Sequence, residues 1–215
     1  MSKPSHKSSA KKGRAVQAPQ RSNGRLRVAA IIEAAEAVIA EKGYEATTMA
    51  EIATRSRTKI GSLYRFFPNK ESLADTIVGR ARNDLDAVFD QFDAKVSALS
   101  MRALTDDLLS LLLEPVFNRP AVMKLLDAGP NWSAKREEFR GAVLRHLAKT
   151  LRIYSPDLRK EAAANIALVI LLNIKAASTH QGLSPSALSE FRDMVRLYIQ
   201  NRLQPSISAK KSAPS

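Results

Sequence analysis

The stretch that most limits what this chain can fold into runs from Thr47 to Leu73, TTMAEIATRSRTKIGSLYRFFPNKESL. It divides into two short helical segments around a polar gap. Thr47 and Thr48 are N-cap candidates, because a threonine hydroxyl accepts from the free N–H groups of a helix's first turn. Thr48 and Glu51 stand at capping-box spacing. Met49, Ile52 and Ala53 fall at i, i+3, i+4, one face of a helix. Arg55-Ser56-Arg57-Thr58-Lys59 has no large apolar side chain, so the periodicity lapses there. It resumes with Ile60, Leu63, Tyr64 and Phe67, expected to form a second apolar face. Pro68 ends that segment, since a residue before proline is pushed out of the α region. Asn69 is placed to cap a third helix, with Ser72 where a capping box usually has Glu.

Helix, polar turn, helix is the arrangement that sets a second helix into the DNA major groove. The charges agree. Arg55, Arg57, Lys59, Arg65 and Lys70 cluster here, opposed before Glu71 only by Glu51. Such cations displace counterions from phosphates and supply sequence-independent affinity. Gly61 and Ser62 keep the second helix small at its middle, where its backbone can approach a duplex. An ordinary helical hairpin with a solvated basic face fits the same pattern.

At these residues the chain resembles the TetR family of bacterial transcription regulators. The residues that carry the resemblance are Gly43-Tyr44, Thr47-Thr48, Ile52-Ala53, Leu63-Tyr64, Phe67 and Lys70-Glu71-Ser72-Leu73. It covers roughly residues 25–75, about a quarter of the chain. The family's usual turn, Ala-Gly-Val-Ser, is replaced by Ser56-Arg57-Thr58-Lys59. A turn glycine normally takes a conformation that costs other residues about 1 kcal/mol or more, so Arg57 implies a strained or reshaped turn. The resemblance implies that Thr48 donates to phosphate from a helix N-terminus. It implies that Lys59, Ile60, Gly61 and Ser62 open the recognition helix in the groove, and that Tyr64 and Lys70 contact phosphate. Arg57 joins this DNA-facing set as the turn cation. Arg65 could reach a guanine edge, worth roughly 1–3 kcal/mol of discrimination when bidentate.

The rest of the chain reads as all-α, with about nine helices and no period-2 strand pattern. The expected organisation is a basic disordered arm at 1–24, a three-helix DNA-binding domain at 25–72 with its helix-turn-helix at about 48–67, a helical effector-binding and dimerisation domain at 73–204, and a tail at 205–215. Helix 1 is expected from about Leu26 to Lys42, with Val28, Ile31, Ile32, Ala35, Val38 and Ile39 as its stripe. Later helices are expected at about 70–96, 100–116, 120–127, 133–154, 156–179 and 185–203. The helix at 156–179 is the most apolar. In the family the last two helices of two subunits form a four-helix bundle, so the resemblance implies a homodimer through 156–179 and 185–203. The simpler reading is that the apolar helix is the buried centre of one subunit. The resemblance also implies that helices 4 to 7 enclose an effector pocket and that ligand binding moves helix 4. Met101, Phe117, Met123, Trp132, Phe139 and Asn173 are candidate lining residues, each of which would equally serve as ordinary core. So few polar groups suggest an apolar effector or none.

Net charge is +13, unevenly placed. Residues 1–27 hold eight Lys/Arg and no acid, and Lys210 and Lys211 add two at the other end, which leaves the middle about +3. Basic arms around a nearly neutral body point to a polyanion, most simply double-stranded DNA. Lys11, Lys12, Arg14 and Arg21 are the arm cations that would track its backbone or reach a minor groove, and a plain solubilising tail fits the same charge run. No cysteine is present, which excludes disulfides and thiolate chemistry. The run from Ile166 to Ile174 is too short to span a membrane, and the N-terminus lacks the apolar core of a secretory signal. A bacterial cytoplasmic protein acting at the nucleoid is expected.

No catalytic constellation stands out. His6, His146 and His180 are scattered, and the i−3 and i−4 neighbours of His146 are Val143 and Ala142, so no metal site or cofactor is expected. There is no nucleophile elbow and no glycine-rich phosphate loop. The expected function is a sequence-specific transcriptional regulator, a ligand-responsive repressor on a palindromic operator. A non-specific DNA-packaging protein is the alternative, and an all-α enzyme the more distant one.

Overall fold

The computed structural model of the chain describes residues 22–113, 119–179 and 184–203. Nine α-helices and one 3-10 turn, with no strand, make up the described residues, so the chain is all-α. Two compact units meet between Ile77 and Val78, inside the fourth helix.

The first unit is built by local signals. Helix α1 (Ser22–Lys42) begins four residues ahead of the expected start, and Gly24 is accommodated within it. It stops at Gly43, whose φ of +85° is left-handed and whose amide donates to the Ile39 carbonyl at 2.8 Å. Of the two cap candidates, Thr48 caps α2 (Met49–Arg55), its hydroxyl accepting from the Glu51 amide at 3.2 Å. Thr47 is instead buried and donates to the Gly43 carbonyl at 2.7 Å. Glu51 does not complete the box with its carboxylate, which pairs with Lys42 of α1.

Helix α3 (Ile60–Phe66) differs from the expected apolar face. Leu63, Phe66 and Phe67 are buried, whereas Ile60 and Tyr64 are 44% and 48% exposed. The inward stripe is therefore Leu63 and Phe66, one turn apart. Phe67 leaves the helix in an extended conformation (φ −126°, ψ 99°), and its side chain is 1% exposed. With the stripe spent on those three, Ile60 and Tyr64 are left outside. α1 packs on α2 and α2 on α3. Ile31, Ala35, Val38, Ile52, Leu63, Leu73 and Ile77 are all at most 1% exposed. Truncating one of the larger of these, Leu63→Ala, would cost about 2–5 kcal/mol, a large share of the roughly 5–15 kcal/mol that holds a domain folded.

Helix α4 (Lys70–Val96) opens with a reciprocal cap. The Asn69 side chain accepts from the Ser72 amide at 2.7 Å, and the Ser72 hydroxyl accepts from the Asn69 amide at 3.4 Å. Serine thus stands in for the capping-box glutamate, as the spacing suggested.

The second unit continues α4 with α5 (Met101–Leu113), α6 (Pro120–Leu126), a 3-10 turn (Pro130–Trp132), α7 (Ser133–Tyr154), α8 (Lys160–Thr179) and α9 (Pro185–Leu203). Helix α8 starts four residues later than expected. The Leu158 amide donates to the Ser155 carbonyl at 3.0 Å, so Pro156 sits in a turn rather than in a first helical turn. Its core joins Leu85, Phe89, Leu104, Leu108, Leu147, Leu151, Ile166, Ile170 and Ile199. α7 packs on α8, and α9 on α5 and α8.

A row of acids on α4 meets α7 across this core. Asp86 Oδ1 lies 2.7 Å from His146 Nε2, Lys149 donates to Asp90 at 3.2 Å, and Thr150 donates to Asp93 at 2.5 Å. Lys149 also lies 3.0 Å from the other Asp93 oxygen. His146 stacks on Phe89 with ring centroids 4.8 Å apart. It is a packed, paired side chain. Among the described residues no group of three or more His, Cys, Asp or Glu could hold a metal ion.

No helix among the described residues is long and apolar enough to cross a membrane.

Candidate nucleic-acid interface

The turn between α2 and α3 decides how the second helix is presented. Arg57 has φ +50°, in the left-handed region that glycine favours. Its amide donates to the Thr54 carbonyl at 3.1 Å, and the Thr58 amide to the Ala53 carbonyl at 2.9 Å. These two bonds form a Schellman closure of α2. The turn keeps the shape a glycine would give it, and Arg57 bears the strain. Lys59 then starts α3 without a side-chain cap.

The outward side of α3 is assembled from Ile60, Gly61, Tyr64 and Arg65, all exposed, with Ser62 half-buried beside them. A Cβ added at Gly61 would meet nothing within 4 Å, so this surface is open. Thr48 is exposed at the start of α2. Its hydroxyl oxygen accepts from Glu51, which leaves the hydroxyl proton to donate outward.

The five clustered cations separate into two groups. Arg55 is clamped by Glu41 of α1 through two bonds of 2.6 and 2.5 Å. The hydrogen bond from Arg55 holds the Glu41 carboxyl below its ordinary value. Lys70 donates to the Tyr44 and Glu45 carbonyls at 2.8 and 3.2 Å and lies over the Tyr44 ring. Arg57, Lys59 and Arg65 are exposed, and none of them forms an ion pair among the described residues. Sequence reasoning placed all five in one cluster. It could not see that Glu41, fourteen positions from Arg55, neutralises one of them.

The described pocket candidates lie on α5 (Met101), α6 (Met123), the 3-10 turn (Trp132), α7 (Phe139) and α8 (Asn173). Met101 and Phe139 are half-buried against the core of the second unit. Trp132 is buried with Lys135 over its ring, and Met123 is half-buried on α6. Asn173 donates to the Val169 carbonyl of its own helix at 2.8 Å. Phe117 lies outside the described residues, as do His6, His180 and the arm cations Lys11, Lys12, Arg14 and Arg21. A groove of about 490 Å³ lies elsewhere, between α7 and α8, lined by Leu144, Arg145, Ala148, Lys149, Arg152, Ile153, Lys160 and Ala164. Nothing in the sequence marked it, because its floor is made of small or common core residues on two separate helices.

Comparison with known proteins bears on the first unit most directly. A family model described as "Bacterial regulatory proteins, tetR family" matches residues 31–77. The HTH-type transcriptional repressor KstR of Mycobacterium tuberculosis is 38% identical over 61 residues, 28% of this chain and 28% of that protein. Over residues 31–77 the chain is similar to the TetR family. The similarity spans less than half of the length of the curated relatives it matches. The fold extends further. A TetR-family transcriptional regulator from Mesorhizobium loti superposes with a TM-score of 0.67 at 18% identity, over 85% of this chain and 98% of that one. AibR in complex with isovaleryl coenzyme A and operator DNA superposes with a TM-score of 0.54 at 20% identity, over 79% of this chain and 96% of that one.

Proposed function

We propose that the protein is a sequence-specific DNA-binding transcriptional regulator that acts as a homodimer on a palindromic operator, as a ligand-responsive repressor. The observation that carries this reading is the division of α3. Leu63 and Phe66 anchor it inward, while Ile60, Gly61, Tyr64 and Arg65 are exposed on its outer side. A seven-residue helix with that much exposed surface serves contact better than stability. In this reading the head is residues 25–72 and the body 73–204. Arg57, Lys59, Tyr64 and Arg65 contact DNA along with Thr48, Ile60, Gly61 and Ser62, and Lys70 uses its third N–H on phosphate.

Dimerisation is supported by Val169 and Leu172 on α8 and Met194 and Leu197 on α9, which are 36–59% exposed. Exposed apolar side chains concentrated on the two closing helices favour a partner surface. Ligand response is supported by AibR, whose structure holds isovaleryl coenzyme A and operator DNA. An inducer would act by binding the DNA-incompetent state more tightly. The protein then works in the bacterial cytoplasm at the nucleoid, and the reading assigns it no catalytic step.

Selection of genomic DNA with the purified full-length protein, followed by footprinting near physiological salt, tests this. A protected palindrome with half-sites about 34–36 Å apart is the expected result. Uniform binding without a preferred site would favour the packaging reading, with the basic arm as the main contact.

A further inference from the structure

The groove between α7 and α8 has two unlike parts. Its floor is Leu144, Ala148 and Ile153 from α7 and Ala164 from α8. Its rim is cationic. Arg145 and Arg152 lie two turns apart on α7, and Lys160 is the first residue of α8. The fourth rim cation, Lys149, is already paired with Asp90 and Asp93. Arg145, Arg152 and Lys160 are exposed and form no ion pair among the described residues. Arg152 lies in the last turn of α7 and Lys160 at the first position of α8, so both flank the end where one helix runs out and the next begins.

We propose that this groove binds a small amphipathic organic anion. Its acidic head would lie between Arg152 and Lys160, and its apolar tail would run over Leu144, Ala148 and Ala164. The volume of about 490 Å³ falls within the roughly 300–1,000 Å³ of small-molecule sites. Charge complementarity selects the occupant. A purely apolar ligand would cover the cations without satisfying them, which costs more than the apolar contact returns. A bare inorganic anion would leave the apolar floor wet. A second copy of the chain is a poorer fit, because the exposed apolar residues Val169, Leu172, Met194 and Leu197 lie outside the groove lining. The groove is formed within the second unit, and the inference does not depend on the DNA-binding reading.

Isothermal titration calorimetry of the full-length protein with decanoate is the test, with inorganic phosphate and decanol as the two half-ligands. Saturable binding of one decanoate per chain is expected, with each half-ligand weaker by about ten-fold or more. The double variant Arg152→Ala/Lys160→Ala removes only exposed side chains and should weaken decanoate by at least about ten-fold. Ala164→Trp, also at an exposed position, should block the tail and abolish binding. Circular dichroism melts show whether either variant remains folded. Three results would overturn the proposal: no decanoate binding by the wild type, binding unchanged in both variants, or decanol binding as tightly as decanoate. Loss of dimer in Ala164→Trp by sedimentation would also overturn it, since the groove would then be a subunit contact.

Discussion

The ammonium of Lys70 donates to the Tyr44 carbonyl at 2.8 Å and lies 4.3 Å from the centre of the Tyr44 ring. This ties the start of α4 to the connection after α1. The side chain has a structural task even without DNA, and only one of its three N–H groups remains for a phosphate. Lys70→Ala should therefore have two effects. The melting temperature should fall, corresponding to about 1–2 kcal/mol for half-buried charge-assisted bonds. DNA affinity should fall alike for all sequences, with the salt slope reduced by about one. An unchanged melting temperature would show that the carbonyl contacts contribute nothing. A sequence-dependent loss would contradict the phosphate contact.

Arg57 allows backbone strain and charge to be separated. Its φ of +50° disfavours any residue with a Cβ. Arg57→Gly should stabilise the protein by about 0.5–1 kcal/mol, the relief of strain less the added freedom of the unfolded chain. Arg57→Ala keeps the strain and should leave stability nearly unchanged. Both variants remove the same cation, so both should lower the salt slope of DNA binding by about one. Denaturant midpoints that move equally in the two variants would refute the strain argument.

Much of the head was legible because its signals are local. Caps at Thr48 and Asn69, the stop at Gly43 and the extent of α4 all follow from residues within a few positions of one another. The glycine-like turn at Arg57 was visible as a departure from the family pattern, although not which way the backbone would resolve it. What stayed hidden depends on contacts between distant segments. Phe66 went unnoticed because the i, i+3, i+4, i+7 rule selected Ile60 and Tyr64, and a seven-residue helix is too short for periodicity to decide. His146 looked solitary because its carboxylate partner, Asp86, lies sixty positions away on another helix. The α7–α8 groove is a product of packing and left no mark on either helix alone.

Thr150 and Asp93 form the most buried polar pair in the acid row, with Thr150 fully buried and Asp93 9% exposed. Thr150→Val keeps the shape and removes the donor. The Asp93 oxygen would lose its 2.5 Å partner where water cannot readily replace it. A loss of about 1–3 kcal/mol in urea unfolding is expected. A loss below about 0.5 kcal/mol would mean that Lys149 alone satisfies the carboxylate.

Asp86 should make stability depend on acid. Burial tends to raise its carboxyl, but hydrogen bonds from His146 and Arg82 outweigh it and hold the group below its ordinary value. A carboxyl depressed in the folded state stabilises the fold above the unfolded value, about 3.9, and that contribution disappears as pH falls through the lower folded value. Asp86→Ala should thus melt earlier than wild type at neutral pH, by less than about 1 kcal/mol because the side chain is 41% exposed. The gap should close as the pH is lowered below the ordinary carboxylate range. A gap that widens in acid would show that another group is responsible.

The exposed apolar side chains of α8 and α9 give the sharpest test of assembly. Leu172 is 52% and Leu197 59% exposed, so a charge at either site costs a lone subunit little. Buried in a subunit interface, the same charge would lose its water without gaining a partner. The double variant Leu172→Glu/Leu197→Glu should therefore sediment as a monomer while keeping its helical circular dichroism. Two heads that no longer bind as one unit lose the advantage of linkage, so affinity for a palindromic site should fall by at least about a hundred-fold. Affinity for a single half-site should change little. A variant that remains dimeric would move the interface away from these helices. A monomer that binds the palindrome as well as wild type would show that the heads act independently.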